Sequence, residues 1–222
     1  MKDLGKAFSF PFKDPSWVTK FIIAALFILL ALAIVGLFIV AGYLVQVTQR
    51  VMRKDPQPLP EWTDIGVKFV VGFKFCMVYV IYLLPILILT VPVIALAVVA
   101  EISDQQEIFG ILTAVYTFAL MLITIPYSIA LTFAMPIISY RFAANEKISE
   151  ALDIGAIAST FKQHWQSTLI VALITAGIQS LASVGFVFFF IGVLFTLFYA
   201  YLVTAYLNGA LFLEHAVGGE GV

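Results

Sequence analysis

Side chains able to act as a nucleophile, a general base or a metal ligand are few and scattered in this sequence. Cys76 is the single cysteine and stands at the start of an apolar run, with no base nearby to activate its thiol. His164 and His215 are separated by about fifty residues, and two histidines alone do not make a typical zinc site. No Gly-x-Ser-x-Gly or His-Glu-x-x-His pattern and no glycine-rich phosphate loop is present. The polar groups inside the apolar runs are hydroxyls and amides, among them Thr90, Thr113, Thr124, Ser128, Thr132, Gln179 and Asn208. Such groups ordinarily serve hydrogen bonding between membrane helices. Proton relays and ion sites need Asp, Glu, Lys, Arg or His within a span, and the runs 21–45, 76–100, 108–136 and 167–213 carry none. The expectation is a non-enzymatic chain without metal or cofactor.

The elements that would position any site are dictated by composition. Of the 222 residues 63% are hydrophobic and only 11% charged, and they include 21 Phe, 9 Tyr and 3 Trp. A water-soluble surface cannot be built from what remains, which excludes a soluble domain, a nucleic-acid binder and a disordered chain. The expected fold is all-α: a polytopic membrane bundle forming a single membrane domain over 1–222, with four full spans, an N-terminal re-entrant hairpin (or five spans) and amphipathic interfacial helices.

Residues 1–20 mix lysines with Phe8, Phe10, Phe12 and Trp17 and read as an interfacial segment. The uncharged stretch 21–45 follows; it is too long for a signal-peptide core and is expected to remain in the mature protein. Residues 46–64 hold Pro56, Pro58 and Pro60 and read as a polar linker, with a helix starting at Pro60 so that Glu61 and Asp64 fall in its first turn. Asp64 and Lys68 are then spaced for an ion pair. Spans are expected over 65–100 and 108–136, separated by the acidic turn 101–107 and kinked at Pro85, Pro92 and Pro126. Those prolines should face protein, their freed carbonyls capped by Thr90, Thr124 or Ser128. Segment 139–166 reads as amphipathic, with Ile154, Ile157, Ala158, Phe161 and Trp165 on one face and Asp153, Thr160 and His164 elsewhere. Segment 167–213 has room for two spans and a turn, marked by Gly185 or Gly192.

Orientation follows from the basic residues, which concentrate on the cytoplasmic side. Placing the acidic 101–107 turn outside puts the linker and 139–166 inside. The four lysines of the N-terminal tail join them only if 21–45 enters and leaves by the same face, so the re-entrant hairpin is favoured over a simple span. The C-terminus is then cytoplasmic.

Phe8-Ser9-Phe10-Pro11-Phe12 with Asp14-Pro15-Ser16-Trp17, Gly42-Tyr43, Leu59-Pro60-Glu61-Trp62, Gly72, Lys74 and Ala151-Leu152-Asp153 together resemble an uncharacterised family of bacterial and archaeal polytopic membrane proteins. That family looks distantly similar to the membrane domain of some glycerophosphodiester phosphodiesterases. One departure is visible: Gly209 is followed by Ala210 where relatives often carry Gln. The resemblance implies a multi-pass protein of a prokaryotic cytoplasmic membrane, without an assigned activity. The functional expectation is a scaffold or accessory subunit that binds membrane lipid and other membrane proteins and no nucleic acid. Contacts are expected at Phe8, Phe10, Phe12, Trp17, Glu61, Trp62, Phe161 and Trp165. The alternative is a carrier for a lipid or small neutral solute, resting on helices broken at their prolines.

Overall fold

A computed structural model describes residues 4–30, 35–182 and 189–211. The order is α1 (Leu4–Ser9), a 3₁₀ turn (Pro11–Lys13), α2 (Trp17–Leu30), α3 (Val35–Met52), α4 (Ile65–Ile102), α5 (Gln106–Asn145), α6 (Ile148–Leu152), α7 (Ile154–Ala182) and α8 (Phe189–Ala210). The fold is all-α, and α3, α4, α5 and α7 are long and apolar enough to cross a membrane. The turn expected inside 21–45, Gly185, His215 and the tail lie outside the described residues; Gly192 falls within α8 and marks no turn.

Several boundaries differ from the sequence expectation. The polar residues Gln46–Met52 belong to α3, because the first helix breaker after it is Pro56. Helix α3 ends with Lys54 at φ 56°, where Lys54 N–H donates to the Val51 carbonyl (2.9 Å) and Asp55 N–H to that of Arg50 (2.9 Å), a Schellman closure on a non-glycine residue. Helix α4 begins at Ile65, not Pro60. Asp64 precedes it at φ 52°, and Glu61 lies in the extended linker outside any helical turn. Segment 139–166 is the end of α5, then α6, then the start of α7. Its backbone leaves helical geometry at His164 (φ −126°, ψ 29°), just before the uncharged stretch begins.

The chain forms two units: 1–77 with 133–222, and Val78–Thr132. In the first, α2, α3 and α8 enclose an aromatic core of Phe10, Phe21, Tyr43 and Phe198 with Leu202 and Val47. Close helix crossings are set by glycine. A Cβ on Gly42 would strike the Lys68 carbonyl, and one on Gly72 would strike that of Phe38, so α3 and α4 touch backbone to backbone. A Cβ on Gly209 would lie 2.6 Å from the Thr48 carbonyl oxygen, and Thr48 donates its hydroxyl to the Ala205 carbonyl (3.0 Å), which holds α3 on α8. Gln49 donates to the Ala143 carbonyl (2.9 Å) and to Glu146 (2.8 Å). Arg141 grips Glu150 through its carbonyl (2.8 Å) and its carboxylate (2.9 Å), fastening α6 to the end of α5.

The second unit is an antiparallel pair made from the later part of α4, the turn after it and the earlier part of α5, and most of its side chains are exposed. Helix α4 continues through Pro85 and Pro92, and α5 through Pro126; all three prolines are exposed and none faces protein. The threonine and serine hydroxyls do not bridge the helices. Thr90, Thr113, Ser128 and Thr132 each donate to a carbonyl three or four residues back in their own helix. Tyrosines make the bridge: Tyr127 donates to the Tyr82 carbonyl (2.6 Å) and Tyr116 to that of Leu89 (3.1 Å). Each acceptor lies three residues before a proline, in the turn where the missing N–H and the ring loosen the ladder.

Candidate functional site

The densest polar constellation lies at one end of the first unit, where the N-terminal segment meets the linker. Asp14 opens it. Its Oδ1 accepts from Ser16 N–H (2.8 Å) and Oγ (2.7 Å), a side-chain turn that begins three residues ahead of Trp17, the first residue of α2. One turn into α2, Lys20 Nζ reaches Asp14 Oδ2 (2.7 Å), Glu61 Oε1 (2.6 Å) and the Leu59 carbonyl (3.3 Å). The three donors of the ammonium thus meet three acceptors. Only 4% of the Lys20 side chain and 9% of that of Asp14 are exposed, whereas Glu61 is 65% exposed. Burial raises the Asp14 pKa, but the hydrogen bonds from Lys20 and Ser16 outweigh it and hold the carboxyl below its ordinary value.

Trp62 closes the arrangement from the linker side. Its indole stacks on Tyr43 at 4.1 Å with an interplanar angle of 17°, and its Nε1–H donates to the Lys20 carbonyl (3.0 Å). Phe27 and Phe198 flank the same indole. Tyr43 is fully buried, and its hydroxyl has no hydrogen-bond partner among the described residues. Lys20, before the 21–45 stretch, and Glu61 and Trp62, after it, are therefore in direct contact. Gln49 and Glu146 bring the polar stretch after α5 to the last turn of α3 as well.

Beside this cluster the last turns of α3, the linker and the start of α4 enclose an open polar cleft of about 250 Å³. Gln46, Arg50, Arg53, Glu61, Asp64 and Lys68 line it. Arg50 Nη1 donates to the carbonyls of Gln57 (3.1 Å) and Leu59 (3.3 Å), which holds the proline linker in place. Lys68, nearly fully buried, does not form the expected ion pair with Asp64; its ammonium donates to the Thr63 carbonyl.

Of the residues expected at a contact surface, the structure gathers Phe10, Phe12, Trp17, Glu61 and Trp62. Phe10 is buried against Tyr206 (4.7 Å). Phe12, half exposed, meets Trp17 edge-on (5.2 Å) and lies near Tyr199 (5.6 Å), whose hydroxyl donates to the Phe8 carbonyl (2.9 Å). The N-terminal aromatics thus serve partly as core. Phe161 is half buried, and Trp165, beyond the His164 break, is 51% exposed. Lys20, Asp14 and Tyr43 were not among the contact residues expected from the sequence, although Asp14 and Tyr43 stand in the motifs that carry the resemblance. The signal available was Asp14-Pro15-Ser16, a turn-forming triplet placed six residues before a lysine.

A family model matches residues 25–197. The chain belongs to the proteins of unknown function called DUF4013. The matched region includes Gly42-Tyr43, Leu59-Pro60-Glu61-Trp62 and Gly72; the Phe-rich opening and Gly209 lie beyond it. No curated protein and no solved structure matches the chain. In this DUF4013 chain the Leu-Pro-Glu-Trp linker is a structural clasp whose indole and carboxylate both act on Lys20.

Proposed function

We propose that this DUF4013 chain is a non-enzymatic scaffold or accessory subunit of a prokaryotic cytoplasmic membrane, binding lipid and other membrane proteins. The observation that carries the reading is the contrast in how its polar groups are used. The N-terminal segment and linker are locked by a buried ion pair, while the Val78–Thr132 hairpin presents branched and aromatic side chains outward, Ile88 at 65% and Phe118 at 66% exposure. The uncharged helix over 78–100 and 108–132 measures about 35 and 38 Å, close to one tilted crossing of ~30 Å of hydrocarbon. A rigid cytoplasmic clasp carrying such a hairpin is suited to holding neighbours in the bilayer plane. The contact between Lys20 and Glu61 supports a chain that enters and leaves by one face over 21–45, with the linker cytoplasmic and 101–107 outside. The carrier alternative loses the feature it rested on, since the prolines are exposed and α4 and α5 run through them.

The test is site-specific photo-crosslinking in native membranes. A crosslinker at Phe118 or Val115 should give a discrete protein adduct of one mass from both positions. At Leu120, which is buried, it should give none. Lipid adducts alone at all exposed positions would refute the scaffold reading.

A further inference from the structure

The cleft beside the clasp has donors that the fold leaves unused. The guanidinium of Arg53 and the side-chain amide of Gln46 make no hydrogen bond or ion pair among the described residues, and only Nη1 of Arg50 is engaged. Four cations (Lys20, Arg50, Arg53 and Lys68) stand against three carboxylates (Asp14, Glu61 and Asp64), so the cleft and clasp together retain one positive charge. A singly charged anion balances that surplus. A doubly charged one would also meet repulsion from Glu61 and Asp64. Planar guanidinium forks fit the paired oxygens of a phosphate.

Depth favours a lipid as the source. The apolar run through α3 ends at Val45, before Gln46, and Arg50 and Arg53 follow five and eight residues after Val45, about 7–12 Å further along the helix. The headgroup layer on each face of a bilayer is about 5–8 Å thick. Those side chains, one at headgroup level and one just above, open onto a cleft bounded by the linker and Lys68. We propose that this cleft binds the phosphodiester of a membrane phospholipid, with Arg53 and Gln46 as its direct donors and Arg50 contributing its free N–H groups. The site rests on the function proposed above only for its placement in the headgroup layer.

The full-length chain, purified and stripped of lipid in a neutral maltoside detergent, should be titrated with phosphatidylglycerol and followed by native mass spectrometry. Parallel titrations use diacylglycerol of the same chains and inorganic phosphate. One phosphatidylglycerol should bind, and diacylglycerol should not. Arg53→Gln and Gln46→Leu should each weaken binding about tenfold or more without lowering thermal stability, because neither side chain holds the fold. Arg53→Lys should recover part of the loss. Diacylglycerol binding as well as phosphatidylglycerol, or both variants binding as wild type does, overturns the proposal. Inorganic phosphate competing at the concentration of the lipid assigns the cleft to a free anion and overturns the lipid site. The sidedness is read separately. In a Cys76→Ser background, Pro56→Cys labelled from outside and Ser103→Cys labelled only from inside would reverse the orientation and leave the binding result standing.

Discussion

The two units of this chain are held by different means, and the more apolar of them is the less buried. In the first, glycines bring backbones into contact, and a lysine, two carboxylates and an indole join the N-terminal segment to the linker. In the second, α4 and α5, more apolar than α3 or α7, meet through tyrosine hydroxyls and leave most of their surface there uncovered. Higher apolar content therefore does not by itself bury side chains in a membrane protein, because lipid competes for the same surfaces. Small residues and well-paired polar groups decide it.

The largest effect expected from breaking this difference is at Lys20. Lys20→Met keeps the length and removes the charge, leaving Asp14 buried without its cation, a loss of about 3–5 kcal/mol. Glu61→Gln should cost far less, since Glu61 is largely exposed and an exposed ion pair is worth about 0–1 kcal/mol. Thermal unfolding in detergent measures both. Equal losses would mean that the linker, not the buried pair, carries the clasp.

Next in size is Gly72→Ala. The added Cβ collides with backbone, which cannot rotate away as a side chain could, and a cost of about 1–3 kcal/mol is expected. Gly110→Ala, in the second unit, meets nothing within 4 Å and should be neutral or slightly stabilising. A comparable loss at Gly110 would erase the distinction drawn between the units.

Much of the fold was legible in the runs of residues without charge, because a helix must satisfy its own backbone in lipid wherever no charge can stand. The clasp was half legible. Glu61 and Trp62 stood out as the distinctive polar motif, and Phe10 and Trp17 as aromatics near an interface. Lys20 looked like one more basic residue of a cytoplasmic tail, since Asp14-Pro15-Ser16 hints only at its near partner, and Leu59 and Glu61 lie about forty residues away. Tyr116 and Tyr127 read as part of two greasy helices, and their role exists only once the helices are paired. The break at His164 has no glycine or proline to announce it. The prolines misled most: Pro85, Pro92 and Pro126 suggested a protein-facing kink, but helices satisfied by a neighbour's tyrosines can leave the rings outward.

Acid sharpens the comparison further. The Asp14 carboxyl has a folded-state pKa below its ordinary value of 3.8, so the folded state favours the ionised form. The stability it contributes is fully present above the unfolded pKa, near 4, and is lost as pH falls through the lower folded value. Wild type should therefore lose stability more steeply than Asp14→Asn below about pH 4, the variant already lacking the ionised form at pH 7. Parallel curves for the two proteins would show that Asp14 does not titrate through its bond to Lys20.

The smallest expected effect tests the second unit alone. Tyr127→Phe removes the hydroxyl donated to the Tyr82 carbonyl and leaves the ring, and hydrogen bonds between membrane helices average about 0.6 kcal/mol. Tyr116→Phe does the same at Leu89. If the hydroxyls compensate for the loosened turns before Pro85 and Pro92, the losses should disappear when the matching proline is also removed. Pro85→Ala restores the N–H that the ladder lacks, so Tyr127→Phe should cost less in that background than in wild type. The double-mutant cycle reads this directly. Additive losses would separate the tyrosines from the prolines and leave the hydroxyls as simple bridges between α4 and α5.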